Sequence, residues 1–339
     1  MARDLAGIIL AAGLGTRLRP ISGGVPKPLV PFFSLPLLEF VFKKFALAGI
    51  SDMGLNTHFL PEKIEEYLKA FDHSEVFLSK EMPDILGTGG AYFGFKPWVK
   101  NRTTVVCNGD VLTSADLGAI VDHHFRTEAF VTMGVLSQPH GSGSQIWVDN
   151  GLVVHIGPNN GGFTHSTPHG FNCIRVLNSG FFDQIPKPEY SEFVPIILRL
   201  IKEGKKIAAF EQPGDWFDLG TPEDYFKAHQ HVLREWSVGK DPFLVMKTLQ
   251  DLGRPFTFIP ADETSVFSGS KIVGPSFIAL DLEGLKDNSI GPNVVISGGI
   301  SLGEGCRIQS SVVNEGGTIK DDLTLRIIGQ DYSISAQTL

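Results

Sequence analysis

The sequence predicts an α/β protein: a Rossmann-like, mostly parallel sheet with flanking helices, followed by a short C-terminal left-handed β-helix. Two patterns carry this prediction. Through the first two thirds of the chain, short apolar runs alternate with amphipathic stretches, the order of an α/β domain. After about residue 237 an aliphatic residue recurs at every sixth position instead. A compositional feature accompanies both patterns. The 339 residues include 38 glycines and 21 prolines, so many positions suit turns or close backbone approach.

Residues 5–12, Leu-Ala-Gly-Ile-Ile-Leu-Ala-Ala, form a continuous apolar run that stops at Gly13, as expected of a buried parallel strand. Between 35 and 48, Leu37, Leu38, Val41, Phe42 and Phe45 recur at helical spacing, and Gly49 ends the helix. Residues 51–59 predict a second strand. Residues 61–71 predict a helix with an acidic start and Pro61 in its first turn. A third strand over 103–112 ends in a Gly-Asp turn, and a helix follows over 115–127. Further amphipathic helices are expected at 193–203 and 222–236. The six-residue register then runs through Val266, Ile272, Ile278, Gly284, Ile290, Ile296, Leu302 and Ile308. This is the period of a left-handed parallel β-helix, in which each sixth side chain points into a narrow prism. The expected organisation is a catalytic domain over 1–236, a linker over 237–262 and a β-helix of hexapeptide repeats over 263–330. So short a β-helix has open ends, and it is expected to pack on the catalytic domain or on another subunit; a homo-oligomer is the expected state.

Composition excludes several classes. With 29 Lys+Arg against 37 Asp+Glu, the net charge of −8 argues against a protein that coats nucleic acid. A small phosphorylated substrate remains compatible, since it needs only a few cations placed locally. Cys107, Cys173 and Cys306 stand far apart with no Cys/His spacing, which excludes a disulfide scaffold and a zinc site and suits a reducing compartment. No signal peptide or membrane span is visible, so a cytoplasmic protein without a membrane partner is expected.

The segment 10–29, LAAGLGTRLRPISGGVPKPL, carries the chemistry. A strand, a glycine loop and then basic residues make a phosphate-binding arrangement: Gly13 and Gly15 let backbone N–H groups approach, while Arg17 and Lys27 neutralise charge. The dinucleotide fingerprint would need glycine where Leu18 stands, and the P-loop has no counterpart. The plainer reading is a tight turn with two solvated basic residues. Asp110 follows a strand and stands where α/β sheets place ligand groups, although Asn108-Gly109-Asp110 is also good turn sequence.

These strings resemble the sugar-1-phosphate nucleotidyltransferases, also called nucleotide-sugar pyrophosphorylases, and most of all the mannose-1-phosphate guanylyltransferase type. The resemblance rests on 10–20 (LAAGLGTRLRP) and 26–29 (PKPL). It continues, in family order, with 36–39 (PLLE), 86–91 (LGTGGA), 108–110 (NGD) and 216–222 (WFDLGTP). It implies transfer of a nucleotidyl group from an NTP to a sugar 1-phosphate, with pyrophosphate leaving. Arg17 and Lys27 would be the catalytic cations. Asp110 and Asp218 would hold one Mg²⁺, which usually takes one or two carboxylates plus phosphate oxygens. Leu10, Ala11, Ala12, Gly13, Gly15, Thr16, Glu81, Gly87, Thr88 and Asn108 would bind the nucleotide. Glu81 would accept from a guanine or uracil edge, and the glycines of 86–91 would let the backbone approach the nucleotide.

On the sugar side the chain departs from the family. Where relatives carry Glu-Lys-Pro, this sequence reads Val153-Val-His-Ile-Gly-Pro158, and no lysine occurs between Lys100 and Lys187. The usual Phe-Thr-Gly-Ile stands here as Phe171-Asn172-Cys173-Ile174. Asn172 is the sugar-binding candidate, with His155, His165, His169 and Arg175 available as further substitutes. Guanylyl transfer to a mannose or hexose-type phosphate is the first reading. Uridylyl transfer to an amino-sugar or glucose 1-phosphate is the alternative, as is a non-catalytic nucleotide-sugar-binding regulatory subunit. An acyltransferase role for the β-helix is disfavoured, because 266–308 contains no histidine to serve as general base.

Overall fold

The computed structural model describes residues 3–71, 73, 75–139, 145–158, 162, 166–185, 187–279, 282–314 and 316–337. The chain divides into two compact units. The first comprises Met1–Leu14 with Val41–Trp216, the second Gly15–Phe40 with Phe217–Leu339. Among the described residues no helix is long and apolar enough to cross a membrane.

The first unit is built on a nine-stranded sheet. In chain order its strands are β1 (Leu5–Leu10), β2 (Met53–Thr57), β3 (Phe77–Lys80), β4 (Thr103–Asn108), β5 (Val131–Leu136), β6 (Ile146–Asp149), β7 (Leu152–Ile156), β8 (Thr167–Leu177) and β9 (Ile207–Glu211). They lie side by side as β3-β2-β1-β4-β8-β5-β9-β7-β6. In β1, Ala6, Ile8 and Ile9 are fully buried, so both faces of the strand are covered, as its unbroken apolar run requires.

The sheet is mixed rather than mostly parallel. The quartet β3-β2-β1-β4 is parallel, and so is the pair β5–β9, but β8 runs antiparallel to both β4 and β5. Parallel neighbours need a long crossover, usually a helix. The described part of the chain between β5 and β8 contains only β6 and β7, which form a hairpin-like antiparallel pair. Without a helix to carry it across, β8 enters in the opposite direction.

The core of this unit is aromatic and aliphatic, with Tyr92, Phe95, Phe181, Phe182, Phe193, Ile197 and Leu200 among its buried members. Tyr92 meets Phe181 edge to face at 5.2 Å, a favoured ring geometry. The expected helices form at Leu37–Leu47, Pro61–Ala70, Leu117–Thr127, Phe193–Lys202 and Pro222–Ser237.

In the second unit, parallel strands stack the six-residue register on itself. Ile272 lies opposite Ile290 and Ile290 opposite Ile308, each eighteen residues on, a multiple of the six-residue period. Ile278 lies opposite Ile296 in the same way. Ile272, Ile278, Ile290, Ile296, Leu302 and Ile308 all enter one core cluster. Val266 does not: it is 71 % exposed, in a strand that folds back antiparallel on Ser270–Val273. Residues 237–262 include the helix Val245–Asp251 and the strand Phe256–Ile259, which pairs antiparallel with Ser276–Ala279. The segment from Gly15 to Phe40 is held in this unit by Phe32 and Phe33, whose rings pack on His229, Trp236 and Phe277. Tyr225 adds a bridge, its single hydroxyl lying within hydrogen-bond reach of both Pro31 O and Asn314 Oδ1.

Candidate active site

At the carboxyl ends of β1, β2 and β4 the first unit opens a cavity of about 340 Å³. Open α/β sheets bind ligands at that end, and the size is within the usual range for small-molecule sites. Eight predicted residues line it: Leu10, Ala12, Gly13, Glu81, Gly87, Thr88, Asn108 and Asp110. Four more were not predicted: Asn56, Ile85, Tyr190 and Glu192. Ala11 is buried beside them, and its N–H donates to Asn56 Oδ1 at 2.6 Å.

Asn56 is the hub of a buried relay. Its Nδ2 donates to Glu81 Oε1 at 2.6 Å, and Glu81 Oε2 accepts from the Leu86 N–H at 2.7 Å. Glu81 is only 2 % exposed. The glycine loop after β1 is therefore tied through two side chains to the loop leading into Gly87. A buried polar group left unpaired costs about 1–3 kcal/mol, so each member of the relay fixes the next. Glu81 keeps further lone pairs, since two carboxylate oxygens accept about four hydrogen bonds.

The glycines in and beside the cavity answer to different neighbours. A Cβ on Gly87 would lie 2.6 Å from Ser191 O, and one on Gly90 would lie 2.2 Å from Glu189 O. The N–H groups of Gly89 and Gly90 both donate to Ser191 O. These glycines are thus required by the packing of 189–192, whatever ligand they also meet. Among the described residues, a Cβ on Gly13 would meet no protein atom within 4 Å.

The same packing brings in Glu192. Thr88 Oγ1 donates to Glu192 Oε2, and the Tyr190 hydroxyl donates to Oε1. Burial pushes the Glu192 carboxyl up, but the hydrogen bonds from Thr88 and Tyr190 outweigh it and hold its pKa below the ordinary value. Next to Asn108, burial pushes the Cys107 thiol up to about 12, so it stays protonated and is no nucleophile.

Arg17, Lys27 and Asp218 meet in the second unit. Lys27 Nζ lies 3.4 Å from Asp218 Oδ1, and Arg17 Nη2 lies 3.7 Å from Asp218 Oδ2. Lys27 is buried after Pro26, whereas the Arg17 side chain is 69 % exposed. Gly15 adopts φ 63°, the left-handed region that favours glycine, and its carbonyl accepts from Ser22 Oγ at 2.7 Å. Thr16 opens the short turn that carries Arg17. Gly220 leaves room for the guanidinium: a Cβ there would lie 3.0 Å from Arg17 Nη2. Among the described residues no group of three or more His, Cys, Asp or Glu could hold a metal.

On the sugar side, Asn172 is 1 % exposed and does not line the cavity. Its Oδ1 accepts from the Ile174 N–H, its Nδ2 has no hydrogen-bond partner among the described residues, and its side chain fills the space over Gly134. Cys173 adopts φ 65°, the left-handed conformation, at the position where the resembling string has glycine. His169 is buried, its Nδ1 donating to Thr167 O at 2.9 Å, and its Nε2 is 3.4 Å from Glu211 Oε2. His155 lies in β7, half-buried; His165 lies outside the described residues. Arg175 is buried at 2 % exposure.

Comparison with known proteins points one way. The family described as Nucleotidyl transferase matches residues 6–143. A mannose-1-phosphate guanylyltransferase of Mycobacterium tuberculosis is 28 % identical over 318 residues, covering 91 % of this chain and 82 % of that protein. A UTP–glucose-1-phosphate uridylyltransferase of Synechocystis is 25 % identical over 355 residues, covering 93 % and 86 %. In fold, the chain is similar to the crystal structure of HddC from Yersinia pseudotuberculosis complexed with GMP-PN. The TM-score is 0.55 at 23 % identity, over 66 % of this chain and 97 % of that one.

Proposed function

We propose that this chain, which carries a nucleotidyl transferase domain over residues 6–143, transfers a nucleotidyl group from an NTP to a sugar 1-phosphate. The observation that carries the reading is the convergence of Gly13, Glu81, Asn108 and Asp110 on one cavity at the carboxyl ends of the strands. A phosphate oxygen of the sugar 1-phosphate attacks the α-phosphorus in line, and pyrophosphate leaves. Such a transfer needs positioning and charge stabilisation more than covalent chemistry from the protein.

Gly13 leaves open space in which a nucleotide can lie against the backbone, with Ala12 and Leu10 beside it. Glu81, already held by Asn56 and Leu86, accepts from the N–H groups of the base edge. Arg17 stabilises charge on the triphosphate through its planar fork, and Lys27 contacts phosphate where nucleotide and sugar meet. Asp110 and Asp218 would hold Mg²⁺, which supplies charge neutralisation on the phosphate oxygens when bound. Asp218, partly exposed between Lys27 and Arg17, is an oxygen donor of the right kind.

Guanylyl transfer to mannose 1-phosphate or a related hexose or heptose phosphate is the first choice, supported by the guanylyltransferase relative that spans 91 % of the chain. Uridylyl transfer to a glucose or amino-sugar phosphate is the second, supported by the uridylyltransferase relative. A nucleotide-sugar sensor without turnover is the third, motivated by the lysine missing between 100 and 187. On this reading 1–236 performs the chemistry, 237–262 connects, and 263–330 is a short left-handed β-helix in a cytoplasmic homo-oligomer. The stacking of Ile272, Ile290 and Ile308 supports the β-helix reading of 263–330. Pyrophosphate release over four NTPs and a panel of sugar 1-phosphates, with Mg²⁺, tests the activity. Turnover with GTP and mannose 1-phosphate is the expected result; silence across the panel from folded protein defeats the transfer reading, and ligand-induced stabilisation without turnover favours the sensor.

A further inference from the structure

Resting on that reading, we propose that Arg175 is a positioning residue of the cavity. It holds the Asn108 side chain so that the amide N–H₂ is presented to a phosphate-ester oxygen of the substrate, and it sets a positive charge behind that contact.

Strand β8 places Arg175 opposite Val106 of β4, and Asn108 follows two residues later on the same face of the sheet. The Arg175 Nε donates to the Tyr92 hydroxyl at 2.6 Å, and Nη2 donates to Asn108 Oδ1 at 3.4 Å. The guanidinium lies over the rings of Phe193, Phe171 and Tyr92, with its carbon 4.8, 5.6 and 5.9 Å from their centroids. No carboxylate among the described residues pairs with it. A buried cation without a counter-ion is costly, and aromatic faces compensate only part of that cost. The arrangement therefore has an open demand for negative charge.

Asn108 lines the cavity, and it is the cavity-lining residue that Arg175 touches. A guanidinium has donors only, so it fixes which end of the amide faces it: the oxygen. The nitrogen is then the end offered to a ligand, and it is a donor. Phosphate-ester oxygens satisfy both that donor and the charge behind it.

The test uses the full chain and variants N108A, R175M, R175K and N108A/R175M, with GTP alone and mannose 1-phosphate alone as calorimetric probes. Melting temperatures and the split of KM against kcat are measured alongside. N108A and R175M are each expected to weaken at least one probe about tenfold, and the double variant no more than N108A does. R175K, which keeps the charge but loses the fork, should recover part of the binding. The two arms identify which phosphate is met, and the KM of that substrate should rise with little change in kcat. Unchanged binding of both probes to N108A overturns the proposal even if R175M fails to fold, because Asn108 lies at the cavity surface. Losses that multiply in the double variant also overturn it, since Arg175 would then act independently of Asn108. A wild type that binds a probe without releasing pyrophosphate sinks the transfer reading while the coupling is still scored; one that binds neither probe sinks both.

Discussion

In the cavity of the first unit the buried side chains that set the geometry are polar: Asn56, Glu81 and Arg175, each 3 % exposed or less. Among the stacked parallel strands of the second unit they are aliphatic, with Ile290, Ile296 and Ile308 fully buried. The first kind of burial costs stability unless every group is paired, and it persists where a fixed arrangement of donors and acceptors is needed. The second stabilises by removing apolar surface from water and fixes no chemistry. The second unit nonetheless carries Arg17 and Lys27, so its cations are positioned from a hydrophobic frame, through Phe32 and Phe33. The difference teaches that chemistry and stability are separable in one region and joined in the other.

Five substitutions probe that contrast, beginning with the largest expected effect. Arg17→Ala should lower kcat about 10²–10³-fold, the usual loss for a charge-stabilising donor, and leave the melting temperature unchanged because the side chain is 69 % exposed. Full activity in a pyrophosphate-release assay would break the assignment of chemistry to the second unit. Ile290→Ala should cost about 2–5 kcal/mol in chemical denaturation while the folded fraction keeps its kcat. A loss of kcat at unchanged stability would mean that the coil core does more than support.

The glycines give a sharper pair. Gly90→Ala should destabilise by about 1–3 kcal/mol, since its Cβ meets the Glu189 carbonyl. Gly13→Ala should stay within about 0.5 kcal/mol of wild type, yet weaken nucleotide binding about tenfold by calorimetry. Equal effects on melting would erase the distinction.

The last comparison concerns acid. His229, buried between Phe32 and Phe33, is pushed down by burial to about 3 from the ordinary 6.5. The unfolded chain binds that proton first, so the native state is favoured above about pH 6.5 and loses stability as pH falls toward 3. The slope is about 1.4 kcal/mol per pH unit for one proton. His229→Phe should flatten the stability–pH curve by that amount between those limits, in denaturation measured at several pH values.

Much of the site was legible because its residues sit in short strings at strand ends. Gly13, Glu81, Asn108 and Asp110 could each be read from the segment that carries them. Asn56 could not: inside Met-Gly-Leu-Asn-Thr it looks like an ordinary residue of an apolar strand. A buried asparagine near a strand's carboxyl end is the signal that would have found it. Glu192 precedes a helix and gives no sign that Thr88, over a hundred residues away, will reach it. The direction of β8 was hidden for another reason, since it goes with the absence, among the described residues, of a crossover helix rather than with any residue in the strand. The six-residue period was read correctly from Ile272 onward. Val266 fits the period by number alone, because the strand it occupies folds back and has no coil on which to stack.

The fold-back of residues 15–40 onto the C-terminal part of the chain bears on how the protein can be cut. Phe277 lies in the strands beyond residue 270, and its ring stands edge to face with Phe33 at 5.1 Å. Asn314, further along the coil, receives the hydroxyl that also reaches Pro31, four positions after Lys27. Deleting everything after Ser237 would take away contacts made by the stretch that holds Lys27. Gene dissection at that point yields a fragment with its signature segment unbraced, not a minimal enzyme. The C-terminal coil is a keystone for the other end of the sequence.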